Sequence, residues 1–539
     1  MLKKFIKGLV DNICDTFVSF KNELLKLNPF IPIFITGSII RIFFTLRANF
    51  PLNDGGMFYK MTQELMDNSF RLPMFTSYNH SNIPFAYPPL GFYAAGITSR
   101  VFNISLINVF RFLPLIITIL TIPAFYIYAK ELFPKKLAII SAFIFSVIPR
   151  SFMWLIMGGG ITRSFGLLFS LLTLYFAKKY FREHSKKYLF YTVIFAALTT
   201  SSHLEWFFFT CYSLLFINIH IAKGTKLLKK IIPIIIGTFL LTLPWWLTVL
   251  NRFGVGPYMN FLKAGSVYKD IKTYPHLLTL SFTDEPFLTI FGTLGLLGLM
   301  LSTVINGFIL IVWFLTPLLI APRSSPNLIV IPLTFSAAFA IYQLSLITKT
   351  KELKRQQRSK KTQKLRLLVF KTITAYLAIY TITSTIFLSE LSNNSYFDSI
   401  TNDEVEAMNW VKANTDPSSK FLLITDNLKW GMDTVSEWFP AISNRESITT
   451  PQGQEWISNN EFYYKVSLNN NLKLCYTKGI GCIEKIMYEY TKFDYVFIYR
   501  CNDRIQLNDI ANLIRNELSR SEKHELVFEN KDTQIFKIL

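Results

Sequence analysis

Asp54 stands in the polar turn Asn53-Asp54-Gly55-Gly56, directly after the first long apolar run of the chain. A carboxylate at such a boundary can take a proton from a hydroxyl group or orient it. Other polar groups recur at the ends of later apolar runs: Gly158-Gly159-Gly160-Ile161-Thr162-Arg163, His203-Leu204-Glu205, Asn251-Arg252, Asp284-Glu285 and Arg323. Guanidinium groups suit phosphate, which they bind through a planar fork of donors. His203 and Glu205 could hydrogen-bond a hydroxylated ligand. Each has a plainer reading. Asn-Asp-Gly-Gly is also a turn former, Arg163 could cap a helix, and His203 and Glu205 could satisfy each other between helices. Arg47, at the end of the first apolar run, reads as a snorkelling anchor.

The elements that must position these groups are membrane helices. The chain has 539 residues, is 51% hydrophobic and carries a formal net charge of +21. Apolar runs of roughly 18–25 residues recur to about position 390, each long enough to cross a hydrocarbon core. The pattern predicts a polytopic α-helical membrane protein with about eleven transmembrane helices. The spans are Pro29–Leu46, Leu106–Tyr128, Leu137–Trp154, Ile161–Phe176, Tyr188–Ser201, Leu204–Ile219, Ile231–Leu250, Phe287–Val304, Gly307–Ile320, Leu328–Ile347 and Leu367–Leu388. Basic clusters at Lys3–Lys7, Lys130–Lys136, Lys178–Lys187, Lys223–Lys230 and Lys349–Arg366 then share one side. That side is the cytoplasm by the positive-inside rule.

A domain plan follows. Residues 1–27 read as an amphipathic helix on the cytoplasmic surface, with no cleavable signal peptide. Residues 28–390 form the transmembrane domain, whose first outer loop is 49–104. Residues 391–539 form an extracytoplasmic α/β domain. The expected localisation is a cell membrane, crossed many times. Nucleic acid is not an expected partner, because the basic run 349–366 lies between two spans and topology accounts for it.

In the C-terminal domain, Asp403–Asn414 reads as a helix capped by Thr401 or Asn402. Phe421–Thr425 and Tyr495–Tyr499 read as buried strands, Leu507–Ser521 as a helix, and Glu525–Phe528 with Thr533–Leu539 as a hairpin. Cys475 and Cys482 flank a short glycine-bearing loop and can pair, which leaves Cys501 over. No Cys/His spacing suggests zinc. Asn79-His80-Ser81, Asn103-Ile104-Ser105 and Asn393-Asn394-Ser395 match the glycosylation sequon on the outer side.

Acids and bases thus gather at one membrane face. That layout fits transfer from a polyprenyl-phosphate donor, whose tail stays in the bilayer. Its phosphate needs cationic partners, which Arg163, Arg252 or Arg323 can supply. The leaving group is already an anion, so fixed positive charge serves it better than a strong acid. Asp54 would take or orient the acceptor proton. His203 and Glu205 would line the sugar pocket.

The loop 53–93 resembles the first outer loop of type C (GT-C) integral membrane glycosyltransferases. It is most similar to dolichyl-phosphate-mannose protein mannosyltransferases and lipid A aminoarabinose transferases. The matching features are Asp54, the aromatic Tyr59, the helical Glu64–Asn68 and the closing Tyr87-Pro88-Pro89-Leu90. The resemblance implies that Asp54 is the catalytic carboxylate and that Tyr87 lies near the donor phosphate. Relatives often carry Asp-Glu at Asp54-Gly55 and Lys or His at Tyr87. Met408–Thr415 and Glu437-Trp438-Phe439-Pro440 with Asn444-Arg445 resemble the outer domain of oligosaccharyltransferase catalytic subunits, which implies that Glu437 and Trp438 would face the acceptor. The Trp-Trp-Asp-Tyr-Gly motif and the paired acidic metal motif of those enzymes are missing. The expected partners are therefore a polyprenyl-phosphate sugar and an extracytoplasmic protein, glycan or lipid acceptor. No cofactor is required, and a divalent metal is not indicated. Two alternatives remain open: oligosaccharyltransferase-like movement of a whole glycan, and a lipid or solute transporter or structural membrane protein.

Overall fold

The first apolar run folds as α1 (Phe30–Arg47) and ends at Ala48, where the backbone turns extended. The loop that follows carries α2 (Gly56–Asp67), a minimal hairpin of β1 (Phe75–Thr76) with β2 (Ile83–Pro84), and α3 (Leu90–Phe102). This computed structural model describes residues 28–539 except 219–224, 267–282, 287, 305–307, 321–323, 354–375, 377–378, 385, 388–396, 426–429, 476–477, 491 and 500–513. The predicted surface helix 1–27, Arg323, Asn393, Cys501, most of the basic cluster Lys349–Arg366 and most of the span Leu367–Leu388 lie outside the described residues.

The helical body continues with α4 (Leu106–Leu132) and α5 (Lys135–Val147), then α6 (Gly160–Glu183), α7 (Lys186–Ser202) and α8 (Leu204–Asn218). It is completed by α9 (Thr225–Phe253), α10 (Gly256–Ser266), α11 (Ile290–Val304), α12 (Phe308–Ile320) and α13 (Ser325–Leu353). Helix α6 packs against α4, α7 and α8, while α13 packs against α5, α11 and α12. Among the described residues, five helices are long and apolar enough to cross a membrane, or six if one bent pair is a single span. Leu204–Phe216, Ile290–Ser302 and Phe308–Ile320 are shorter apolar helices. The sequence count of eleven is therefore more than these long helices supply.

The expected straight span Leu137–Trp154 is a correction. It stops at Val147 and turns by 86° into the segment Pro149–Leu155. Pro149 has no N–H to continue the ladder and holds Ile148 at φ −66°, ψ 124°. Arg41, fully buried in α1, serves this break. Its Nη1 donates to the Gly37 carbonyl (2.9 Å) and to the Ser146 carbonyl (2.7 Å), and its Nη2 to Ser151 Oγ (3.3 Å). A carbonyl freed by a broken helix at membrane depth needs such a donor.

The C-terminal unit is a five-stranded sheet in the order β4-β3-β5-β7-β6. Its strands are β3 (Lys420–Ile424), β4 (Glu446–Ser447), β5 (Tyr495–Tyr499), β6 (His524–Glu529) and β7 (Thr533–Ile538). β3 runs parallel to β4 and β5, and β7 closes antiparallel against β5 and β6. The expected helix is α14 (Asn402–Asn414), with Thr401 and Glu404 in a reciprocal capping box. Three further helices were not anticipated: α15 (Thr434–Ser443), α16 (Asn459–Cys475) and α17 (Ile480–Tyr490). A disulfide joins Cys475 to Cys482, tying α16 to α17. Closing so short a loop limits its stabilisation to about 2 kcal/mol. Cys482→Ser should lower the thermal midpoint of the full chain modestly, as measured by melting under non-reducing conditions.

This unit is bolted onto the loop 49–104. Trp438 Nε1 donates to the Asn53 carbonyl (2.8 Å), and Tyr78 Oη to the Glu437 carbonyl (2.7 Å). Lys60 Nζ reaches Asn444 Oδ1 (3.0 Å). Asn79 is buried, with its amide exchanging bonds with Ser447 at 2.7 and 3.0 Å. The sequon at Asn79 is thus spent on packing in the folded chain.

Candidate functional site

Where the loop, the helix ends and the C-terminal unit meet, a cavity of about 610 Å³ opens. Asp54 and Tyr87 line it from the loop, Arg150 and Trp154 from the broken segment, and Arg163 from α6. His203 and Glu205 line it from the α7–α8 turn, and Glu437 from α15.

Asp54 is placed by two glycine-rich turns pressed together. Gly158 N donates to the Leu52 carbonyl (2.9 Å), and Gly159 N lies 3.2 Å from the Asp54 carbonyl. Gly159 N also donates to Asp54 Oδ1 (3.0 Å), so the carboxylate sits at the N-terminus of α6, where backbone donors and helix dipole favour an anion. A Cβ on Gly158 would lie 2.2 Å from the Asp54 carbonyl oxygen. Gly55 has φ +124°, and a Cβ there would meet Gly158 at 2.7 Å. Gly55 therefore has a local cause: only glycine fits that conformation and that approach.

Arg163 Nη2 donates to both Asp54 oxygens, at 2.9 and 2.8 Å. One nitrogen makes both contacts, and the Arg163 Nε, although buried, has no hydrogen-bond partner. The guanidinium keeps donor capacity for a second anion. Arg150 also lies near Trp154, with its guanidinium carbon 5.8 Å from the Trp154 ring centroid against 5.6 Å for Arg163. Arg150 is ion-paired to Asp284 (Nε to Oδ2, 2.8 Å), and it donates from Nη2 to Asp284 Oδ1 (3.0 Å) and from Nη1 to Asn327 Oδ1 (3.2 Å).

Glu437 stands opposite. Its Oε1 accepts from Gly55 N (3.2 Å), the residue next to Asp54. Burial first, and then the charge of Asp54, push the Glu437 carboxyl from 4.5 up to about 8. The proton is held more tightly in the folded chain than in the unfolded one. Stability from this group is therefore fully present below pH 4.5 and is lost as pH rises through about 8. The thermal midpoint of the wild type should fall across that window. Glu437→Gln, which stays neutral, should flatten the fall; an unchanged pH profile would show that another group is responsible.

Tyr87 lies against Phe58 and Trp456, at ring distances of 4.7 and 5.6 Å, and its hydroxyl meets Thr162 Oγ1 at 3.4 Å. Burial pushes the Tyr87 phenol upward, so it remains a neutral donor. Glu205 accepts from Ser324 Oγ. His203 is buried, and its Nδ1 has no partner.

Three expected site residues do not join this cluster. Trp438 is 0% exposed and pins the Asn53 carbonyl, so it cannot face an acceptor. Tyr59 packs between Phe110 and Trp438, at 5.8 and 5.7 Å, because the aromatic face of α2 turns into the interface. Arg252 Nη1 holds the Leu72 and Pro73 carbonyls at 3.0 and 2.7 Å, away from the cavity. Arg323 is outside the described residues. Arg252→Ala should therefore change the rate of catalysis less than about threefold, as expected for an exposed contact with little energetic weight; a hundredfold loss in a turnover assay would return it to the site.

Sequence reading missed Arg150, Trp154, Gln452, Glu455 and Trp456, all of which line the cavity. Pro149 inside a presumed straight span was the available signal for the first two. Among the described residues, no group of three or more His, Cys, Asp or Glu side chains is placed to hold a metal ion.

Residues 86–248 match the family model of dolichyl-phosphate-mannose-protein mannosyltransferases. That stretch includes Tyr87, Arg150, Arg163, His203 and Glu205. The fold is also similar to solved structures. The oligosaccharyltransferase AglB from Archaeoglobus fulgidus, in complex with an inhibitory peptide and a dolichol-phosphate, has 14% identity and a TM-score of 0.50 over 92% of this chain and 72% of its own. ArnT from Cupriavidus metallidurans bound to undecaprenyl phosphate has 10% identity and a TM-score of 0.52 over 94% and 97%. The arabinofuranosyltransferase AftD from Mycobacteria has 13% identity and a TM-score of 0.53 over 95% of this chain and 40% of its own. The chain has the type C glycosyltransferase fold. No curated protein sequence matches it significantly. A type C fold with these apolar helices makes it a multi-pass membrane protein, and the cavity lies where that fold's helix ends meet its C-terminal unit.

Proposed function

We propose that the protein transfers a sugar, hexosyl or pentosyl, from a polyprenyl-phosphate donor to a hydroxyl of an extracytoplasmic acceptor. The observation that carries this reading is the Asp54–Arg163 pair in the cavity, with Arg163 Nε still unpartnered. The acceptor oxygen attacks the anomeric carbon. The bond from that carbon to the phosphate oxygen breaks, and its electron pair leaves with the phosphate. Asp54 takes the acceptor proton. Arg163, with Arg150 in the same lining, holds the phosphate and stabilises the charge that grows on its leaving oxygen. Tyr87 donates from the side of the phosphate, and His203 with Glu205 faces the sugar. Two similar folds carry dolichol-phosphate and undecaprenyl phosphate in their structures, which supports a lipid-phosphate donor here.

The positive-inside pattern supports an orientation with the N-terminus in the cytoplasm and the cavity on the outer face. Turnover is expected to need no divalent metal and to survive chelation.

The test is reconstitution in liposomes with a panel of polyprenyl-phosphate sugars, reading the release of free polyprenyl phosphate. Release by the wild type that Asp54→Asn abolishes supports the proposal. Inertness of the folded wild type toward every donor, with lipid or ion flux instead, overturns it.

A further inference from the structure

The C-terminal unit grips the Asp54 turn at the two residues that flank Asp54. On one side Trp438 Nε1 donates to the Asn53 carbonyl (2.8 Å), and on the other Glu437 Oε1 accepts from Gly55 N (3.2 Å). The same Glu437 carboxyl takes a backbone bond from Met57, so it caps the N-terminus of α2. Glu437 and Trp438 are consecutive in α15, and together they reach across the whole Asn53-Asp54-Gly55 segment. A third bond runs from Asn53 N to the Asp398 carbonyl, just ahead of α14 (2.7 Å). The helical body holds the opposite side of the turn through Gly158, Gly159 and Arg163.

The turn needs support on this side. Asn53 has φ +49° and Gly55 φ +124°, so the residues before and after Asp54 both have positive φ. Asparagine tolerates that region better than most residues, yet such a conformation persists only where surrounding contacts over-determine it. Trp438 is fully buried between Phe50 (4.9 Å) and Tyr59 (5.7 Å), which fixes the direction of its N–H. A contact that served docking alone could sit anywhere in the interface, as Lys60 does on Asn444 (3.0 Å). These contacts instead straddle one carboxylate.

We propose that Glu437 and Trp438 are positioning residues that clamp the Asp54 turn, so that Asp54 keeps its catalytic register with Arg163 only while the C-terminal unit is docked. This rests on the reading of Asp54 as the group that takes the acceptor proton. The unit thereby acts on kcat through Asp54 and not on donor binding, because Arg150 and Arg163 belong to the helical body.

The test uses the full chain in liposomes. The donor is the polyprenyl-phosphate sugar of the panel that the wild type uses best, and undecaprenyl phosphate is the binding probe. Trp438→Phe keeps an aromatic ring and loses the N–H; Glu437→Ala loses the acceptor. Each should lower kcat by about 10–10²-fold, the scale for a reacting group displaced by up to ~1 Å. Donor KM and undecaprenyl phosphate affinity should stay within about threefold. Glu437→Gln still offers Gly55 N an acceptor and should recover most of what Glu437→Ala loses. Lys60→Met removes a contact of the same interface that does not touch the turn, and its kcat should stay within about threefold of the wild type.

Hydrogen exchange in the peptide 50–58 reads the clamp without turnover. It should quicken in Trp438→Phe and Glu437→Ala but not in Lys60→Met, with the rest of the chain protected as in the wild type, which also shows that the variants fold. Three results overturn the clamp: faster exchange with wild-type kcat, exchange unchanged in both variants, or a kcat loss matched by an equal loss of undecaprenyl phosphate affinity. A folded wild type inert toward every donor strikes the proposed function instead, and the exchange measurement then still decides whether the two residues hold the turn.

Discussion

Asp54→Asn should lower the rate of sugar transfer by about 10²–10⁴-fold, the range for losing a positioned general base. An amide cannot accept the acceptor's proton at neutral pH. The variant has a second, distinguishing signature. Removing the carboxylate frees Arg163 Nη2, which now spends both its contacts on Asp54. Affinity for undecaprenyl phosphate should therefore hold or tighten while turnover collapses. Arg163→Lys should behave differently. It keeps a charge but loses the planar fork that serves Asp54 and a second anion at once, so both donor affinity and rate should fall. Parallel measurements of lipid-phosphate binding and release separate the two. A folded Asp54→Asn chain that transfers at the wild-type rate would remove Asp54 from the chemistry.

Gly158→Ala should be nearly as damaging, although it adds only one methyl group and no charge. Its Cβ would lie 2.2 Å from the Asp54 carbonyl oxygen and 3.3 Å from Pro51 Cβ. Contacts under 3.0 Å do not persist, so the Asp54 turn must move away from α6 by most of an ångström. A displacement of ~1 Å at a reacting group can cost about 10²-fold. The expected result is a loss of that order in turnover, with the protein still folded by thermal melting. Gly256→Ala, where a Cβ meets nothing within 4 Å, is the matched control and should stay near the wild type. Equal activity of the two variants would mean that the contact between the Asp54 and Gly158 turns does not set the catalytic geometry.

The parts legible in the sequence were those set by local chemistry. Long apolar runs forecast helices such as α4 and α6, because bilayer thickness sets a minimum length for any span. Thr401 or Asn402 announced the start of α14, and the structure gives the cap to Thr401, in a reciprocal capping box with Glu404. Short apolar runs announced β3 and β5 as buried strands, and the β6–β7 hairpin follows them. Asp54, Arg163, His203 and Glu205 were picked out as polar groups beside apolar runs, and Glu437 through the resemblance of its segment; the fold brings all five to one cavity.

Residues with the same local signature went elsewhere. Arg252 looked as suitable for phosphate as Arg163, but it satisfies the Leu72 and Pro73 carbonyls. Trp438 stood beside Glu437, yet α15 sends adjacent side chains in different directions, and Trp438 alone is buried against Phe50 and Asn53. Arg150 was hidden inside an apolar run and reaches the cavity only because Pro149 breaks the helix there.

The sequence by itself determined that the body is built of apolar helices, the α/β character of the C-terminal unit and several of the residues able to do chemistry. Each follows from length, periodicity or side-chain type, which act over a few residues. Only the tertiary structure decided which of those residues share a site. Asp54 and Arg163 are separated by 109 positions and meet at 2.8 Å. Glu437 reaches Gly55 across 382 positions. The approach depends on glycines 55, 56 and 158, whose missing side chains leave no trace in hydrophobic pattern or charge but allow two backbones to touch.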